Sequence, residues 1–106
     1  MIHAYLKRKP IRSPSILAAA HGQFCTVCGL LYETVVFAHL NESFAGKGTG
    51  QKADDIAGFF ACQHCHDQYD GRVPNTQVDD WVVLRAMYRT WRVLIDMGVI
   101  KIVDQE

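Results

Sequence analysis

The residues best suited to chemistry lie between positions 25 and 70. Cys25 and Cys28 form one Cys-x2-Cys pair and Cys62 and Cys65 a second, with 33 residues between the pairs. Each pair turns two sulfurs toward one point, and two such pairs match the four-thiolate tetrahedral coordination of closed structural Zn²⁺ sites. Gly29, directly after the first pair, can take the positive φ that such a turn demands. His66 follows the last cysteine at once, and Asp70 comes four residues later. On a helix those two side chains share a face, where an imidazole and a carboxylate can hold one divalent ion. An arbitrary His-x3-Asp pair is more often plain surface, but a helix that opens inside a zinc knuckle has a fixed orientation. His39 sits in an apolar run between the two cysteine pairs, and in isolation it reads as a satisfied strand histidine. Asp54 and Asp55 stand before a second apolar run and offer either a further ligand or a turn cap. His64, inside the second pair, faces away from His66 on a helix and is incidental.

These groups need elements to hold them. Ser13-Pro14 followed by SILAAAH predicts a helix with Ser13 at the N-cap and Pro14 at N1, stopped by Gly22. Glu33 to Leu40 is rich in β-branched residues and predicts a strand. Residues 41–53 hold Gly46, Gly48 and Gly50 and predict a loop; its glycines suit either mobility or a backbone approach to phosphate. Ile56 to Ala61 predicts a short strand pairing back on the first. Cys62 to Tyr69 then opens a helix that Gly71 ends. Thr76 and Asp79 read as a capping pair for a last helix over about residues 77–97, stopped by Gly98. Trp81, Leu84, Tyr88, Trp91 and Ile95 recur on that helix at helical spacing and are expected to pack in the core. Arg85, Arg89 and Arg92 line another face, with Arg92 and Asp96 spaced for an i,i+4 pair. Residues 1–12 show little pattern, reading as a short strand or an arm.

The 106 residues suffice for one domain, and 49% hydrophobic content suits a core that a metal staple would reinforce. No apolar run is long enough to span a membrane. The basic start MIHAYLKRKPIRSP lacks the apolar stretch of a secretory signal, which points to the cytoplasm, where paired cysteines are more often metal ligands than disulfides. Net charge is zero but unevenly spread. Residues 1–52 carry six basic side chains against two acidic, and residues 53–106 carry five against nine. The basic half is compatible with phosphate and the acidic half with a divalent cation, although any single charge is by default a solvated one.

The combination of motifs is specific. Ala38-His39-Leu40 on the first strand, the Gly48–Lys52 loop of form G-x-G-x2-K, an aspartate before the second strand, and C-x2-C-H-D-x2-D from Cys62 to Asp70 together resemble the YbcO-like nucleases of phages and prophages. More broadly they resemble the HNH, or His-Me finger, endonucleases. The likeness covers about residues 13–72. It implies an α+β fold: a small zinc-clamped ββα-metal core, treble-clef-like, over about residues 23–72, with an N-terminal helix and a long C-terminal helix in a single domain of residues 1–106.

The resemblance also implies a chemistry. His39 would be the general base that activates water, His66 a ligand of a catalytic Mg²⁺ or Mn²⁺, and Asp70 the second ligand on the same helix. Cys25, Cys28, Cys62 and Cys65 would hold the structural Zn²⁺. Two departures stand out. Ala38 occupies a position where many members carry an Asp or His ligand, and the HNH asparagine is missing, so that Asp55 or Asn41 would have to serve in its place. The implied partner is DNA, duplex or branched, with a homodimer left open. The favoured expectation is therefore a metal-dependent DNA endonuclease linked to recombination or processing. The rival is a catalytically silent zinc module that binds nucleic acid or a recombination or replication protein, and a weaker third reading is a purely structural zinc ribbon.

Overall fold

The computed structural model describes residues 9–104. Helix α1, Pro14–Ala19, begins as its sequence dictates: Ser13 is extended, its hydroxyl accepts the Ile16 N–H at 3.3 Å, and Pro14 fills N1. It buries Ile16 and Ala19, and the chain turns away at Gly22 with φ +80°. Residues 9–12 form no regular element, and residues 1–8 lie outside the described part.

Strands β1, Val36–His39, and β2, Gly58–Ala61, form an antiparallel pair with Phe37 opposite Phe60 and His39 opposite Gly58. Both are shorter than the apolar runs that predicted them. One further bond, Leu40 N–H to Ala57 O, extends the ladder before the chains diverge. Gly58 is required where it stands: a Cβ there would overlap the Ala38 carbonyl oxygen and press within 2.6 Å of the Phe37 ring. All four residues of β2 are buried, so this strand is the centre of the molecule.

Helix α2, Gln63–Tyr69, starts directly from β2 with Cys62 at its N-cap and ends before Gly71. Helix α3, Asp80–Asp96, is capped by the Asp79 carboxylate, which accepts the Trp81 N–H at 2.9 Å. Thr76, expected to share that cap, instead donates its hydroxyl to Val73 O. Arg92 and Asp96 stand 4.0 Å apart as their spacing predicts, while Arg85 and Arg89 donate to the knuckle carbonyls of Val27 and Thr26.

The expected core stripe of α3 faces the wrong way. Ala86, Thr90 and Leu94 are the buried residues of this helix, whereas Trp81, Leu84, Tyr88 and Trp91 are exposed. The reason is a polar joint with β2. The Thr90 hydroxyl accepts the Phe60 N–H at 3.0 Å and donates to the Thr26 hydroxyl, also at 3.0 Å; the Thr26 hydroxyl in turn donates to Phe60 O at 2.9 Å. Only small side chains let helix and strand approach so closely, and Ala86 and Thr90 supply them. No helix among the described residues is long and apolar enough to cross a membrane.

Candidate functional site

The first cysteine pair lies on a knuckle closed by its own backbone. Cys25 N–H bonds Leu30 O at 2.8 Å, Gly29 N–H bonds Cys25 O at 2.8 Å, and Gly29 takes φ +81°. Cys62 and Cys65 come from the start of α2. The knuckle is docked on β2 by Thr26 N–H to Phe60 O, which carries one pair to the other. The four Sγ atoms lie within 4.8 Å of one another, and only Cys28 is exposed. Zn–S bonds of about 2.3 Å put tetrahedral sulfurs roughly 3.8 Å apart, so the donor set fits one Zn²⁺. The thiols are not equivalent without a cation. Burial and the neighbouring sulfurs push Cys65 up, whereas for Cys25 the N–H groups of Cys28, Cys62 and Val27 outweigh burial and hold it down. One divalent ion relieves both the crowding and the desolvation.

At the other end of the hairpin His39 closes β1 opposite Gly58, its ring edge-on to Phe37 at 5.0 Å between centroids. Its Nε2 is 2.8 Å from Asp55 Oδ1. Asp55 is almost wholly buried, and its other oxygen accepts the Ser13 N–H at 2.7 Å, joining the start of α1 to the same group. Lys52 Nζ and Arg12 Nη1 both stand 3.7 Å from Oδ1. Arg12 is itself fixed by bonds to Ala53 O and Lys52 O. Burial alone would raise the Asp55 carboxyl; the His39 and Ser13 hydrogen bonds and the Lys52 charge outweigh it and hold the group below the usual carboxylate range. Asp55 is therefore an ionised acceptor with both oxygens engaged. The glycine loop closes on itself through paired Gly48–Gln51 backbone bonds, which delivers Lys52 to this place.

His66 and Asp70 do share a face of α2, with Nε2 and Oδ2 3.2 Å apart. Asp70 Oδ1 also accepts from Asn41 Nδ2 at 3.2 Å, and the Asn41 N–H donates to the Tyr69 hydroxyl at 3.0 Å. Asn41 is two residues beyond His39, so the exit of β1 is tied directly to the end of α2. Arg72 flanks Asp70 at 3.6 Å. Among the described residues the four cysteines are the one group of three or more His, Cys, Asp or Glu whose ligand atoms lie within 4.8 Å of each other. His66 and Asp70 thus stand as a pair, and Asp55 stands with His39 rather than with them. Asp54, the other carboxylate of the run, accepts the Ile11 N–H at 3.1 Å and serves the loop. His64 lines a shallow cleft over the knuckle with Cys28 and Tyr32. The His39–Asp55 pair and the Asn41–Asp70 bond have no spacing signal in the sequence; both depend on how the loop of residues 41–53 closes.

Residues 15–99 match the family described as "Putative nuclease YbcO". A solved structure described as that of a putative bacteriophage protein from Escherichia coli str. K-12 substr. MG1655 is also similar. It shares 31% sequence identity, covers 77% of this chain and 98% of its own, and superposes with a TM-score of 0.57. No curated protein matches the chain. With four fifths of its length accounted for by one family, the chain belongs to the YbcO putative nuclease family.

Proposed function

We propose that this protein is an HNH-type endonuclease that hydrolyses DNA phosphodiester bonds with a divalent metal, phage or prophage derived and serving recombination or processing of duplex or branched DNA. The observation that carries the reading is the His39–Asp55 hydrogen bond of 2.8 Å at the end of β1. With Nε2–H donated to an ionised carboxylate, the imidazole tautomer leaves Nδ1 as the basic nitrogen. Nδ1 has no hydrogen-bond partner among the described residues, and the His39 side chain keeps 18% of its surface exposed. A water attacking phosphorus gives its proton to Nδ1, and Asp55 stabilises the imidazolium that results. His66 and Asp70 would hold the Mg²⁺ or Mn²⁺, their Nε2 and Oδ2 standing 3.2 Å apart on one face of α2. When bound, such an ion supplies positive charge to the phosphate and the leaving oxygen. Asn41, whose Nδ2 donates to Asp70 Oδ1 at 3.2 Å, orients that carboxylate.

Nicking of a supercoiled plasmid by the zinc-loaded protein with Mg²⁺ or Mn²⁺ tests this reading. His39→Ala should lose roughly 10²–10⁴-fold in turnover while keeping its zinc and its helical content. One observation favours a second reading, a silent zinc module that binds nucleic acid or a recombination or replication protein: His66 and Asp70 satisfy each other, and no third ligand atom from the described His, Cys, Asp or Glu joins them. Zinc-loaded parent protein that cuts neither single-stranded, duplex nor branched DNA with either metal would decide for that module.

A further inference from the structure

The apolar stripe of α3 is a second face that the described chain leaves largely open. Trp81, Leu84 and Tyr88 are 62%, 65% and 62% exposed, and Trp91 is 42% exposed. These residues and Ile95 recur at alternating intervals of three and four, the spacing of a heptad seam, while the buried Ala86, Thr90 and Leu94 lie on the opposite side. One helix therefore carries two apolar faces, one used by its own core and one offered outward. Aromatic side chains bury on the order of 150–250 Å² each, so these exposures leave roughly 500 Å² of apolar surface along the seam. That lies near the upper end, roughly 300–600 Å², of the largest patch on a typical monomer. The two tryptophans are also held in place. The Trp91 Nε1–H donates to Ile56 O at 3.1 Å, and the Arg85 guanidinium lies 5.0 Å over the Trp81 ring. Neither ring has to be ordered on binding, which lowers the cost of association.

We infer that this seam is the interface of a homodimer in which two α3 helices pack antiparallel across a two-fold axis, Trp81 of each copy against Trp91 of the other. The occupant follows from area and symmetry. A two-fold axis near Ala86 pairs Trp81 with Trp91 and Leu84 with Tyr88 twice each, so the four exposed residues form a self-complementary set. Two copies together remove roughly 1,000 Å² of apolar surface, and the rim adds to it, which reaches the area a specific interface needs. Met87 and Phe44 border the seam across the groove lined by Leu40 and Val83 and extend the contact. This arrangement is independent of the nuclease reading, because the seam shares no residue with His39, Asp55, His66 or Asp70.

Sedimentation equilibrium of the full-length, zinc-loaded protein through the micromolar range tests it. The parent should show twice the 12.0 kDa of one chain. Leu84→Glu with Tyr88→Glu should sediment as monomer, with association weakened by at least roughly 30-fold, the loss expected when a central hot spot is removed. Both substituted side chains are exposed, so zinc content and circular dichroism should be unchanged. Trp81→Ala serves as the milder variant and should weaken the dimer while leaving the monomer intact. A monomeric parent overturns the inference; if its tryptophans also resist acrylamide quenching, the cover is the chain's own terminus. A dimer that survives the double substitution overturns it equally, since the interface then lies elsewhere.

Discussion

Removing the Asp55 carboxylate is the most informative single perturbation. That side chain is 2% exposed, accepts the Ser13 N–H at 2.7 Å and His39 at 2.8 Å, and faces Lys52 and Arg12 at 3.7 Å each. In Asp55→Ala the Ser13 N–H loses its partner, the helix cap loses its anchor, and two cations lose their counter-charge. Hydrogen bonds to a charged group contribute about 1.5–3 kcal/mol each, and breaking a buried pair costs about 3–5 kcal/mol. We therefore expect about 3–5 kcal/mol from the alanine variant, a large share of the about 5–15 kcal/mol that holds a domain together. Asp55→Asn keeps an acceptor for Ser13 and should cost about 1–2 kcal/mol. Urea unfolding of zinc-loaded protein, followed by circular dichroism, measures both. An alanine variant within about 0.5 kcal/mol of the parent, the range of an ordinary surface substitution, would refute the reasoning. The pH dependence has a definite sign. The folded Asp55 carboxyl is held below its ordinary value of 3.8, so its contribution is fully present above that value and is lost as pH falls through the lower folded one. Acidification below about pH 4 should destabilise the parent more steeply than Asp55→Asn. If Asp55 positions His39, both variants lose turnover with the metal midpoint unchanged; a raised metal requirement would instead make Asp55 a ligand.

Two further outcomes follow from the clamp and the hairpin. Cys65→Ser should fall below one zinc per chain by atomic absorption and lose cooperative unfolding, because structural zinc contributes apparent free energies of about 10–16 kcal/mol; full zinc occupancy in that variant would show that the clamp needs only three thiols. Gly58→Ala forces a methyl group against Ala38 O and the Phe37 ring, so it should cost about 1–3 kcal/mol or more and lower the melting temperature accordingly; an unshifted melting curve would mean that the hairpin relaxes without loss.

The parts of the fold governed by neighbours in sequence were readable from it. Ser13, Pro14 and Gly22 mark α1 because a cap and a stop act within a few residues. The cysteine spacing reads as one cluster because two tight turns need only be brought together once. His66 and Asp70 fall on one face because four residues are about one helical turn. The environment of His39 was not readable. Its carboxylate partner arrives from 16 residues away, across a glycine loop whose closure joins Gly48 to Gln51 and brings Lys52 along. Its place before the second strand offered Asp55 as a metal ligand or a turn cap, and gave no sign that its oxygens meet His39 and the Ser13 N–H.

The stripe on α3 shows most clearly where periodicity stops being informative. Helical spacing of large apolar residues says that one face is apolar, and by itself it does not say against what that face packs. Where α3 crosses Phe60 its inward face had to carry small and polar residues, since Phe60 presents an otherwise unpaired N–H that only a close hydroxyl can satisfy. Thr90 supplies it at 3.0 Å, and Ala86 clears the approach. A bulky stripe turned inward would have held the helix away from β2 and left that buried N–H without a partner, at a cost of about 1–3 kcal/mol. The backbone of the central strand therefore decided the rotation of α3 against the pull of its largest side chains. The aromatic seam on the outer face is what that decision leaves exposed.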